Sequence, residues 1–223
     1  IGVCYIWQFG ANDQVFYGRD IFDFNEVLQK LSDSNITKYI YIHNLSFEWN
    51  WLLNIIEKFG YTVENMVARA PHKPIQFLIP ELNIVFRCSY MLTNLSLDES
   101  AKKYTNVRKR VNDLDYNKSR GITTPLSEVE LGYCEYDIIT LYEIIKKFRD
   151  KYGHIKSIPL TQTGEVRKAI NNEVDYYYHV KQWELVPSAR FYISLNSAFF
   201  GGISNCNFMY AGQLLKLIQS YDL

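Results

Sequence analysis

Glu48 and Asp137 are the two acidic side chains of this sequence whose surroundings demand an explanation. On a helix opened by Ser46 as N-cap, Glu48 shares a face with Trp51, Leu52, Ile55, Ile56 and Phe59. On a long helix over 128–152, Asp137 shares a face with Tyr133, Leu141, Ile144 and Phe148. Burying an isolated charge is costly, so an inward carboxylate is protonated, ion-paired or bound to metal. Two such groups beside hydroxyls and amides offer hard oxygen ligands to a divalent cation. Phosphodiester hydrolysis uses that arrangement: two ions about 3.5–4 Å apart activate a water and stabilise the leaving oxygen, and four carboxylates commonly hold them. Tyr133, one turn before Asp137, is spaced to orient the attacking water. The competing reading is a carboxylate neutralised by a neighbouring Arg or Lys, which is the commoner fate of inward acids.

Aromatic residues gather around Asn44. Tyr41, His43, Phe47 and Trp51 have faces that stack on unpaired bases, while an amide hydrogen-bonds a base edge or sugar, which grips single strands with little sequence reading. In a chain with 16% aromatic residues, ordinary core packing competes with this, and Phe47 reads equally as core.

The elements that must position these groups alternate between strand and helix periodicity. Strands are predicted at 3–9 and around 15–17, joined by a turn over 10–14. A helix capped by Asp23 carries the stripe Phe24, Val27, Leu28 and Leu31. Alternating aromatic and β-branched residues over 39–42 make a strand, and the helix after Ser46 ends at Gly60. Strands at 74–80 and 82–89 turn near Pro80 and Asn83, and a short helix covers 98–104. Arg108, Lys109 and Arg110 form a dense basic cluster, followed by a polar loop over 112–121. Pro125 introduces the long helix, and 160–197 reads as helical, broken by Pro187. A loop at 199–202 and an apolar segment over 213–223 finish the chain, which has no internal repeat.

Composition narrows the classes. Formal charge is zero, with 24 basic and 24 acidic residues, so no global field announces a nucleic-acid or membrane partner. Cys4, Cys88, Cys134 and Cys206 are far apart, with no paired spacing for zinc, and read as four buried, reduced thiols. No apolar run approaches the roughly 20 residues of a spanning helix, and no export signal opens the chain, so a soluble cytoplasmic protein without a membrane partner is expected. Ile1 leads straight into a strand and Leu223 follows an apolar segment, so the chain reads as a piece of a longer protein.

Five short motifs stand in a telling order: His43-Asn44-Leu45-Ser46-Phe47-Glu48, then Asn112-Asp113-Leu114-Asp115-Tyr116, then Tyr133 with Asp137, then Phe199-Phe200-Gly201-Gly202, then Asp222. In this order they resemble the protein-primed family B DNA polymerases of phages and linear plasmids, along the whole chain. The resemblance implies an α/β fold: a ribonuclease-H-like 3′–5′ proofreading exonuclease domain, a mixed sheet flanked by helices, over 1–155. A helical part and connector continue it over 156–198, and a linker loop and the start of the polymerase palm occupy 199–223. It implies that Glu48 and Asp137 bind Mg²⁺ or Mn²⁺, that Tyr133 positions the water, and that Tyr41, His43, Asn44 and Phe47 hold the single-stranded 3′ end. Ser89 falls near the family's Ser/Thr-Leu motif, another single-strand contact. Tyr116 resembles a tyrosine on the primer strand, Gly201 and Gly202 the linker joining polymerisation to proofreading, and Asp222 the first metal-binding aspartate of the polymerase site. Implied partners are primer-template DNA, deoxynucleotides and a terminal protein whose hydroxyl primes synthesis; a phage-encoded protein would work in its host's cytoplasm.

The departures from the family are specific. Glu48 replaces an Asp, Tyr90 a Leu, and Phe199 a Tyr, while Val111 stands at the register of a catalytic lysine, with Lys109 and Arg110 just upstream. The family's first exonuclease motif, Asp-x-Glu, has no counterpart, so half of the expected metal ligands are missing and weak metal binding and cleavage are expected. A free-standing ribonuclease-H-like nuclease and a non-catalytic DNA-binding module of the same fold are the rival readings.

Overall fold

Two apolar strands, one ending at Ile42 and one at Cys88, lie side by side and position everything around them. A computed structural model describes residues 4–12, 14–107 and 117–173. The chain divides after Asn171 into two units, and the sheet and its helices belong to the first. β1 (Trp7–Ala11) and β2 (Gln14–Gly18) form an antiparallel hairpin. After α1 (Ile21–Leu31) come β3 (Lys38–Ile42) and α2 (Leu45–Phe59). β4 (Glu64–Ala70), β5 (Lys73–Ile79) and β6 (Ile84–Cys88) are antiparallel neighbours, and β6 pairs in parallel with β3. The result is a mixed four-stranded sheet of order β3-β6-β5-β4, separate from the hairpin. Two short helices, α3 (Tyr90–Thr93) and α4 (Leu97–Tyr104), precede the long α5 (Glu128–Tyr152) and then α6 (Gln162–Glu173).

Strand alternation assigns the two faces of the sheet to different helices. Ile40, Phe86 and Phe77 join the core under α1 and α2, where Phe77 stacks on Phe86 at 4.9 Å and meets the edge of Trp49 at 5.1 Å. Tyr41 faces the other way, onto a second cluster around Ile144, Phe148 and Ile158. Gly10 brings the hairpin close to α5, because a Cβ there would stand 2.6 Å from Ile138 Cγ2. Arg19 fastens the hairpin to the approach of α5 by donating to the carbonyls of Tyr5, Gly121 and Thr124.

The mixed sheet between helices agrees with the predicted class, but several local expectations are corrected. Residues 4–6 are not strand; β1 begins at Trp7. Asp20, not Asp23, caps α1, accepting from the amides of Phe22 and Asp23. The cap position of α2 is Asn44 rather than Ser46, in left-handed conformation at φ 61° and without a side-chain cap. The buried stripe of α2 is Leu45, Trp49, Leu52, Ile55 and Ile56, so Glu48 and Trp51 sit at its margin rather than its centre. Phe47 is 78% exposed and is not core. Of the four cysteines, Cys88 is buried while Cys4 and Cys134 are only half-buried, all three as free thiols. Cys206, the basic cluster at 108–110 and everything after Glu173 lie outside the described residues.

Candidate functional site

The turn from β3 into α2 is made by one residue that adopts a backbone conformation most side chains avoid. Asn tolerates left-handed φ, and Asn44 at φ 61° lets its carbonyl accept from the Phe47 amide at 2.8 Å. The first turn of α2 therefore stands directly beyond the carboxyl end of β3, where open α/β sheets bind ligands. A cleft of about 760 Å³ opens there. Its walls are β1 from Trp7 to Gly10, β3 from Tyr39 to Ile42, the inner side of α2, and α5 from Asp137 onward.

Glu48 and Asp137, 89 positions apart in the chain, both line this cleft. Glu48 is half-buried, and burial pushes its carboxyl above the ordinary range. None of the cations among the described residues forms an ion pair with it. Cys4 lies close enough to feel its charge: burial first and Glu48 second raise the thiol to about 11, so this cysteine stays protonated.

Tyr41, His43 and Asn44 join the acids on the cleft wall. Ser89, buried at the end of β6, meets His43 Nδ1 at 3.0 Å and so holds the ring in place. Tyr133 is buried one turn before Asp137 and does not line the cleft. Phe47 points to solvent, away from it. Tyr116, Gly201, Gly202 and Asp222 lie outside the described residues.

Two residues that motif spacing does not single out also belong to the site. Tyr90 lines the cleft and packs edge-on against His43 at 5.8 Å between ring centres. Arg87, 8% exposed, lies behind Tyr41 and donates to its phenolic oxygen at 3.3 Å. A lone arginine inside the otherwise apolar run of β6 is the sequence signal for the second; the first is marked only as the residue that stands in place of Leu after Ser89.

As metal ligands, Glu48 and Asp137 are chemically suited: both are hard oxygen donors, and Glu48 is a half-buried carboxylate with no counter-cation among the described residues. They are only part of a site. No group of three or more ligating His, Cys, Asp or Glu side chains comes together among the described residues.

This arrangement of mixed sheet and flanking helices is a fold found within DNA polymerases. No family model and no curated protein matches the chain in sequence. In structure the chain is similar to phi29 DNA polymerase complexed with primer-template DNA in a post-translocation binary complex: TM-score 0.54, 17% identity, 67% of this chain and 28% of that one. The same polymerase complexed with single-stranded DNA, and in a ternary complex with primer-template DNA and incoming nucleotides, gives a TM-score of 0.52 at 18% identity, covering 63% of this chain and 26% of the other. The chain thus spans less than a third of the polymerase it resembles, and a likeness at this identity speaks for the fold.

Proposed function

We propose that this chain is the greater part of the 3′–5′ proofreading exonuclease domain of a protein-primed, family B DNA polymerase, with a ribonuclease-H-like fold. The observation that carries the reading is that Glu48 and Asp137, from different helices, both line one cleft whose wall also bears Tyr41, His43 and Asn44. The aromatic and amide groups suit a frayed, unpaired DNA terminus. The two carboxylates would hold Mg²⁺ or Mn²⁺, which when bound supplies an activated water and stabilises the leaving 3′ oxygen. Further carboxylates are needed to complete a two-ion site, so these residues alone support slow cleavage. The role of Tyr133 in orienting water rests on motif spacing alone. In the same reading Ser89 steadies His43 against the strand, and Phe47 reaches the DNA from outside the cleft. Tyr116 contacts the primer strand, and Gly201 and Gly202 belong to the linker. Asp222 belongs to the polymerase site, with deoxynucleotides as substrates and a terminal protein as primer. The setting is cytoplasmic; no helix among the described residues is long and apolar enough to cross a membrane.

The absence of a third ligating side chain beside Glu48 and Asp137 among the described residues favours one second reading, a DNA-binding module of the same fold that does not cleave. Binding and trimming of 3′-labelled and 5′-labelled oligonucleotides separate the two. The exonuclease reading expects preference for single strands over duplex and slow Mn²⁺-dependent loss from the 3′ end, abolished by Glu48→Ala and by Asp137→Ala. Binding with no trimming in either metal selects the module, and no binding to either duplex or single strand removes both.

A further inference from the structure

Arg87 is the unusual residue of the sheet. It is 8% exposed, and its hydrogen-bond partners among the described residues are all neutral: Gln76 Oε1 at 2.8 Å, the carbonyl oxygens of Ile155 at 3.2 Å and Ile158 at 3.3 Å, and the Tyr41 phenolic oxygen at 3.3 Å. Its guanidinium also lies over the ring of Tyr39, 4.7 Å from the centre. Buried cations are ordinarily paired with a carboxylate, because an uncompensated one is costly. None pairs with Arg87 among the described residues, so its charge is not cancelled where it stands. Both tyrosines it touches line the cleft.

The donor and acceptor capacity of a phenol limits what Tyr41 can still do. A tyrosine hydroxyl has one proton to donate and lone pairs to accept with. Arg87 donates to the Tyr41 oxygen, so the Tyr41 proton is left for another acceptor, and a donor hydrogen-bonded by a cation is a stronger donor. We propose that Arg87 is a positioning residue that turns Tyr41 into a hydrogen-bond donor for a non-bridging phosphate oxygen of a single strand in the cleft. Tyr41 makes the contact, and Arg87 acts only through it. This rests on the cleft being a single-strand site, and it assigns the hydroxyl of Tyr41 to the backbone rather than its ring to a base. The acidity of the phenol reflects the same contact: burial raises the Tyr41 hydroxyl, and Arg87 pulls it back toward its ordinary range.

The test uses fluorescence anisotropy with a short single strand and with the same strand carrying neutral methylphosphonate linkages. Tyr41→Phe keeps the ring and removes only the hydroxyl. It is expected to weaken binding of the phosphodiester strand about tenfold, the size of one hydrogen bond to a charged group, and to leave methylphosphonate binding unchanged. Arg87→Gln is expected to reproduce that loss and to add nothing when combined with Tyr41→Phe. With ¹³Cζ-labelled tyrosine, the Tyr41 resonance in Arg87→Gln should titrate at higher pH than in the wild type, which reports the contact itself, while a loss confined to the phosphodiester strand is the change that a purely structural cross-link would not produce. If Arg87→Gln does not fold, Tyr41→Phe on the two backbones still decides. Equal affinity of wild type and Tyr41→Phe for the phosphodiester strand, or an equal loss on both backbones, overturns the inference. Failure of the wild type to bind single strands overturns the functional reading itself.

Discussion

Burial and charge work against each other at Glu48. Because burial holds its carboxyl above the ordinary value of 4.5, folding makes the charged form less favourable than it is in the unfolded chain. The stability tied to this group is therefore fully present below pH 4.5 and is lost as pH rises through the elevated folded value. Glu48→Gln removes the penalty. Its melting temperature at pH 7 is expected to exceed that of the wild type, while any metal-dependent trimming disappears; calorimetry and the nuclease assay together check this. A residue kept at the expense of stability is the mark of a functional position, and a variant that melts lower would make Glu48 an ordinary structural acid. Glu48 is visible in the sequence because its spacing along α2 is local. Arg87 shows there only as a lone arginine in an apolar strand, and its role is hidden because its partners lie 11, 46, 68 and 71 positions away, beyond the reach of any spacing rule.

At the scale of elements, α5 is legible in the sequence, from Glu128 to about Tyr152, and β4 is not legible at all. Ser127 and Glu130 form a reciprocal capping box at the start of α5, and Gly153 ends it in left-handed conformation, so local chemistry alone fixes both ends. β4 is exposed almost throughout and its pairing with β5 has register shifts, so no alternation marks it. The start of α2 differs from the sequence expectation because Asn44 makes the turn through its backbone and leaves no side-chain cap to recognise. The cap of α5 also carries a pH dependence. The Ser127 amide first, and the Arg120 guanidinium next, hold Glu130 down to about 2 from an ordinary 4.5. A depressed carboxylate contributes stability above pH 4.5 and loses it as pH falls through about 2. Glu130→Gln is expected to flatten the acid limb of the unfolding curve between those values, measured by circular dichroism. The contact of β1 with α5 gives a second prediction: Gly10→Ala forces a methyl against Ile138 and should cost about 1–3 kcal/mol in denaturant unfolding. A neutral result would mean that the hairpin can move away from the helix freely.

On the scale of the molecule, the sheet is interrupted. β3 ends the four-stranded sheet, β1 and β2 stand apart from it, and residues of both β1 and β3 form walls of the cleft between them. Of the sequence motifs, those carrying Glu48 and Asp137 lie on elements that wall the cleft. The order of the motifs does not anticipate this break, because strand order depends on which strands come together in space and not on their succession along the chain. The break carries an expectation for how the protein behaves in concentrated solution. A strand without a neighbour on one side presents a row of amides and carbonyls that another molecule's backbone can stitch onto, and β3 does so among the described residues beside apolar walls. Light scattering should therefore show reversible self-association that grows with protein concentration and eases when a single-stranded oligonucleotide is added, since both compete for the same opening.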